Sequence, residues 1–221
     1  MHRFDNAIKY IAHGYKELTL YPRNGKFAMP ENYLHIWPRH QFMLIGLPNP
    51  DKSFTCTLFA PFESDCKEGL DDLTTKEAIV RYFEKHFPDF VKLCPDYVEQ
   101  CLENPSSPLA HVHLNPWHFK DKVVVMGDAA HAVVPFYGQG MNCCLEDCVI
   151  FDELLEKHNN DIKTVFHEFS RLRQPSTEGL AHLSLENYVE MRSLTAQRWF
   201  VYKKKLEQVN FCIFCFFFMF L

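Results

Sequence analysis

Residues 123–148, VVVMGDAAHAVVPFYGQGMNCCLEDC, concentrate the groups in this chain that could do chemistry. Glycine is scarce, eight in 221 residues, yet Gly127, Gly138 and Gly140 fall within fourteen positions. Gly127 reads as a tight turn at the carboxyl end of the apolar run 123–126, the edge at which open α/β sheets place their ligands. Asp128 emerges there with acceptor oxygens suited to a ribityl or ribose hydroxyl. Gly138, Gln139 and Gly140 lead into a helical pattern that starts at about Met141. The unpaired N–H groups and positive dipole end of that helix start suit an electron-rich or anionic ring edge. A strand, a Gly-Asp turn and a helix start also occur in α/β proteins without a ligand, so spacing alone leaves both readings open.

Other reactive side chains point to less. His111 and His113 alternate on a predicted strand and therefore share a face, with His118 nearby, but no carboxylate or cysteine stands at ligand spacing and no metal site is expected. The nine cysteines form no even framework, which points to a reducing compartment, and Cys212 and Cys215 read as buried thiols. With 23 Lys+Arg against 28 Asp+Glu, the net charge of -5 provides no basic field for nucleic acid. A 47% hydrophobic content that includes 21 phenylalanines is enough for a continuous core.

The elements that must position these residues are legible in outline. Strands are predicted at 16–21, 33–37, 42–47 and 54–59, separated by turn residues, as an antiparallel meander. Period-two alternation puts Leu34 with Ile36, Met43 with Ile45 and Leu47, and Thr57 with Phe59. Both faces of these strands are largely apolar, so the sheet is expected to be covered on both sides. Thr74-Thr-Lys-Glu77 is a capping box that opens a helix ending before Pro88, and a short helix follows between Pro95 and Glu103. A strand over 109–114 precedes the run 123–126, read as a strand buried on both faces. Helices are predicted at 141–157, 161–173 and 177–207, the last two divided by Pro175. The first residues show no signal peptide. The apolar tail, residues 211–221, is about half the length that spans a bilayer as a helix.

The string GDAAHAVVPFYGQGMNCCLEDC resembles the second flavin-contact motif of the flavoprotein aromatic hydroxylases. NYLHIWPR, FTCTLF, EDCVIFDEL, FSRLRQP and ENYVEMR are similar to the kynurenine-hydroxylating branch of that superfamily, and the resemblance runs to about residue 209. It implies an α/β (mixed α+β) fold like that of para-hydroxybenzoate hydroxylase. The segments are a substrate-binding sheet at 1–115, a flavin-contact segment at 116–157 and C-terminal helices at 158–221. It also implies FAD reduced by NADPH, uptake of O₂, and transfer of one oxygen atom to carbon 3 of L-kynurenine.

Residue by residue, the resemblance assigns Gly127, Asp128, Pro135, Gly138, Gln139, Gly140, Met141 and Asn142 to the cofactor. It assigns Leu34, Ile36, Met43, Ile45, Leu47, Thr57, Phe59, Pro135, Phe136, Tyr137 and Asn187 to the substrate, with Glu190 a helical turn after Asn187 as a supporting partner. No side chain is required as a general base, because the cofactor carries the hard step, and His131 is expected to be structural. Family members open with a GxGxxG turn that clamps the FAD pyrophosphate, and no such triplet stands in these 221 residues. The chain is therefore expected to be the middle and part of the C-terminal portion of a longer enzyme, binding FAD weakly or not at all and inactive alone. Family resemblance places the parent at the cytosolic face of the mitochondrial outer membrane, with membrane contact through the tail. Two other readings stay open: a related flavin hydroxylase with another aromatic substrate, and a non-catalytic membrane-associated interaction protein.

Overall fold

The computed structural model describes residues 4–66, 68–200, 202–204 and 206. The tail 211–221, Cys212 and Cys215 lie outside the described residues. The chain divides into two compact units, His13–Ser107 with Val189–Leu221 and Met1–Ala12 with Pro108–Tyr188. The first twelve residues and the strand after residue 107 thus group with the Gly-Asp segment, a different division from the expected segments 1–115, 116–157 and 158–221.

In the first unit, β1 (Asp5–Leu20) from His13 onward, β2 (His35–Pro38), β3 (Met43–Pro48) and β4 (Phe54–Pro61) run antiparallel in the order β2-β3-β4-β1. β1 starts eleven residues before the predicted Lys16. Its first residues are mostly exposed, so burial imposes no alternation there for a sequence reading to detect. β2 starts at His35, whose ring bonds the Pro30 carbonyl at 2.8 Å, and Leu34 lies outside the strand.

One sheet face carries Leu18, Leu20, Leu44, Phe54, Cys56, Leu58 and Ala60. Helices α1 (Lys76–His86), α2 (Pro88–Leu93) and α3 (Tyr97–Glu103) supply Ile79, Tyr82, Phe83, Phe90 and Tyr97 to the same core, and Phe87 joins them from between α1 and α2. The α1 cap is Thr75, one residue later than predicted, and its side chain accepts from the Ala78 N–H at 3.3 Å. The buried Lys16 ammonium donates to the carbonyls of Cys101 at 3.0 Å and Asn104 at 2.6 Å. A cation thereby satisfies the orphan carbonyls at the C-terminal end of α3 and ties it to β1.

The second unit holds β5 (Ser107–Asn115), which neighbours β1 in the strand order, and the pair β6 (His118–Phe119) and β7 (Val123–Val124). The run 123–126 is not a doubly buried strand: it contributes two residues paired antiparallel to β6, and Val123 is 52% exposed. An apolar run states what a segment could bury, and among the described residues its one ladder partner is β6.

α4 (Asp128–His131), a 3-10 turn at Pro135–Tyr137, α5 (Gly140–Lys157) and α6 (Ile162–Arg192) follow. Pro175 does not divide the last helix, which runs unbroken through it. A proline inside a helix costs about 3 kcal/mol. Val165, Phe166 and Phe169 before it and Thr177, Ser184 and Tyr188 after it are buried, and each fully buried large apolar side chain contributes about 1.5–3 kcal/mol. Continuity therefore wins over the local break. Trp117, Ala130, Leu154, Val165, Phe166 and Phe169 form the core of this unit. Among the described residues no helix is long and apolar enough to cross a membrane.

Candidate functional site

Gly127 adopts φ 60 and ψ -147, a conformation that residues with a Cβ rarely hold. The turn delivers Asp128, exposed, as the first residue of α4. Behind the turn stands Asp147 of α5, fully buried. Its Oδ2 accepts from the Gly127 N–H at 3.0 Å and faces His131 Nε2 at 2.6 Å, while its Oδ1 accepts from Arg173 Nε at 2.7 Å. Arg173, 3% exposed, also donates to the Cys143 carbonyl at 3.2 Å and pairs with Glu146 at 2.7 Å. His131 stacks on Trp117 with centroids 5.0 Å apart.

Burial pushes the Asp147 carboxyl up, and the hydrogen bonds from His131, Arg173 and the Gly127 N–H outweigh it, holding the group below its ordinary 3.8. A carboxyl depressed by folding contributes stability that is present above its unfolded value and lost as pH falls through the folded one. Thermal melts of the protein are therefore expected to decline steeply below about pH 3.8, and Asp147→Asn to flatten that decline.

Gly138, with φ 66 in the left-handed region, reverses the chain after the 3-10 turn, and Gln139 caps α5 without a side-chain hydrogen bond. The first backbone bond of the helix runs from Cys143 N to Gln139 O at 2.9 Å. The N–H groups of Gly140, Met141 and Asn142 therefore precede the ladder and carry the positive end of an 18-residue helix with no acidic residue in its first turn. Asp128, Val133, Pro135, Gly138, Gly140, Met141 and Cys144 line one cavity of about 550 Å³, within the roughly 300–1,000 Å³ range of ligand sites. Five of the eight expected cofactor residues thus share a cavity. Gly127, Gln139 and Asn142 are not among its lining residues, and the Asn142 side-chain amide donates to Gln139 Oε1 at 2.8 Å. Cys144 Sγ lies 3.6 Å from Asp128 Oδ1, and burial together with that carboxylate pushes the thiol up, so it stays protonated at neutral pH.

The expected substrate residues fall into separate groups. Phe136 is buried and stacks on Tyr188, centroids 4.0 Å apart at 14°, while Tyr137 is 45% exposed. Asn187 Nδ2 donates to the Phe136 carbonyl at 2.5 Å, so the structure gives this amide a loop-holding bond within the chain. The Glu190 carboxylate pairs with Lys204 at 3.0 Å. On the sheet, the registers Ile36↔Ile45, Met43↔Phe59 and Ile45↔Thr57 put Ile36, Met43, Ile45, Leu47, Thr57 and Phe59 on the face opposite the aromatic core. Met43, Thr57 and Phe59 are buried, Ile36 and Ile45 half-buried, and Leu47 exposed. Exposed Leu34 stands before the strand.

His113 Nδ1 meets Glu178 Oε1 at 3.1 Å and His118 Nδ1 meets the Lys120 carbonyl at 3.1 Å. Among the described residues no group of three His, Cys, Asp or Glu is placed to hold a metal.

Sequence reasoning gave Asp147, Arg173 and Tyr188 no role. A signal existed: Asp147 stands on the inner stripe of α5 with Cys143 and Leu154, and Arg173 on that of α6 with Val165, Phe166, Phe169 and Thr177. Opposite charges on the buried faces of consecutive helices must find each other or forfeit several kcal/mol of solvation.

Residues 29–160 match the family model described as FAD binding domain. The chain is 48% identical over 208 residues to a kynurenine 3-monooxygenase of Sus scrofa, covering 93% of this chain and 43% of that protein. It is 40% identical to one of Dictyostelium discoideum over 220 residues, covering 94% of this chain and 47% of that protein. The chain thus spans less than half the length of these relatives. Among solved structures, Klebsiella pneumoniae HpxO complexed with FAD and uric acid superposes with a TM-score of 0.68 at 16% identity, over 89% of this chain and 49% of that one. The tetrameric form of 2-methyl-3-hydroxypyridine-5-carboxylic acid oxygenase gives 0.63 at 20% identity, over 86% and 50%. At these identities the likeness is one of fold.

Proposed function

Because the chain belongs to the FAD binding domain family, we propose that it supplies part of the flavin site and the apolar substrate face of an FAD- and NADPH-dependent L-kynurenine 3-hydroxylase. The observation that carries the reading is the cavity at the start of α5, lined by Asp128 on one side and by Gly138, Gly140 and Met141 of the helix start on the other. The donor set fits FAD, which supplies the redox and O₂ chemistry when bound. The Asp128 carboxylate accepts hydrogen bonds from ribityl hydroxyls. The amides of Gly140, Met141 and Asn142 stabilise negative charge at the pyrimidine edge of the ring. Gly138 and Gly140 allow close approach of the backbone, because neither presents a side chain to the cavity.

Separately, half-buried Ile36 and Ile45, backed by the buried Met43, Thr57 and Phe59, offer an aromatic substrate ring an apolar floor. The stack of Phe136 on Tyr188 and the Asn187 bond keep the Pro135–Tyr137 turn in one conformation. The 40–48% identity to kynurenine 3-monooxygenases supports L-kynurenine as the substrate class.

Titration of the protein with FAD, followed by flavin fluorescence, tests the reading. Asp128→Ala is expected to weaken binding about tenfold, the worth of a charge-assisted hydrogen bond of roughly 1.5 kcal/mol, with the melting temperature unchanged. Equal, measurable affinity in the two proteins rejects the flavin assignment. L-kynurenine is then titrated against unrelated aromatic acids by ligand-observed NMR, and Ile45→Asp is expected to abolish its preference.

A further inference from the structure

We propose that Asp147 is the positioning residue of the flavin cradle, a buried carboxylate that sets the Gly127–Asp128 turn against the first turns of α5. The proposal rests on the flavin reading above. The cradle is assembled from two pieces of chain, the Gly127 turn with α4 and the Gly138–Cys144 stretch that opens α5. Asp147 grips the first through the Gly127 N–H at 3.0 Å and His131 at 2.6 Å. It grips the second through Arg173, which bonds Asp147 at 2.7 Å and the Cys143 carbonyl at 3.2 Å. All three side chains are at most 5% exposed, so no solvent competes for these bonds.

The Gly127 conformation has few intrinsic reasons to persist, and such backbones endure where surrounding bonds over-determine them. Asp147 provides that constraint one residue away from the polyol-accepting carboxylate. An asparagine at this position has the same shape but one acceptor oxygen. Its amide NH₂ would face either Arg173 or the Gly127 N–H, donor against donor. The two grips cannot both survive that change.

The experiment compares wild type, Asp147→Asn and the double variant Asp147→Asn/Arg173→Met, with Asp128→Ala as reference. The readouts are ¹⁵N amide spectra without ligand, thermal melting, and FAD titration. Asp147→Asn is expected to move the Gly127, Asp128 and Met141 amides, lower the melting temperature and weaken FAD at least tenfold. Removing the stranded cation in the double variant is expected to restore much of the melting temperature while the amide shifts and the tenfold FAD loss persist. A double variant that regains FAD affinity together with stability shows a merely structural role and overturns the proposal. So does an unmoved Gly127 amide in Asp147→Asn. If Asp128→Ala weakens FAD and the Asp147 variants do not, the flavin reading stands and this proposal falls. If wild type takes up too little FAD to titrate, as expected of a chain without the GxGxxG turn, the amide spectra alone decide whether Asp147 sets the turn, and an unmoved Gly127 amide overturns the proposal.

Discussion

Arg173→Ala is expected to destabilise the protein by about 3–5 kcal/mol, measured as the unfolding free energy from urea denaturation at neutral pH. The guanidinium is 3% exposed and its partner Asp147 is fully buried, so the truncation leaves an ionised carboxylate without its cation where water does not reach. The loss comes chiefly from that uncompensated charge, and only in part from the intrinsic strength of the pair. The Cys143 carbonyl loses a donor as well. Glu146, the other carboxylate on Arg173, is 59% exposed, and Glu146→Ala is expected to cost under about 1 kcal/mol because water and salt screen such a charge. Equal losses in the two variants would mean that Asp147 and Arg173 are solvated in solution, contrary to their burial here.

Phe83→Ala should lower stability by about 3–5 kcal/mol in the same assay, the range for emptying a packed aromatic site. The side chain is fully buried, with ring centroids of Tyr97 at 5.0 Å, Tyr82 at 5.7 Å, Phe87 at 5.8 Å and Phe90 at 6.1 Å. The four remaining rings, three on the short helices and Phe87 between two of them, cannot close the gap without moving the helices off the sheet. Phe83→Leu, which retains most of the apolar volume, is expected to lose less than half as much. Leu102→Ala, at a side chain 50% exposed, should change stability by less than about 1 kcal/mol. A Phe83→Ala protein within 1 kcal/mol of wild type would show that α1 to α3 are not seated on the sheet as described.

What the sequence made legible was what local chemistry determines. The Gly127 turn, the helix from about residue 141 and the pairing of Met43 with Ile45 and of Thr57 with Phe59 on one face of each strand follow from glycine conformations and from periods of 3.6 and 2. What it concealed depends on partners distant in the chain. Pro175 reads as a break until the buried side chains on both sides of it are counted. The run 123–126 reads as a central strand until its ladder is seen to hold one short neighbour. The start of β1 is polar and exposed, so a register set by pairing leaves no hydrophobic trace there. Asn187 reads as a ligand contact by resemblance, and its 2.5 Å bond to the Phe136 carbonyl becomes visible only when the α6 end and the 3-10 turn are placed together.

The tether between Asp147 and Arg173 also limits how the polypeptide can be dissected. A piece cut to residues 29–160 would retain every side chain that lines the cavity beside α5. It would nevertheless end before Phe166 and Phe169, which fill the core behind that helix, and before the cation that neutralises its buried anion. The smallest autonomous version of this half of the molecule must therefore reach past Arg173, although nothing beyond residue 160 belongs to the recognisable cofactor signature.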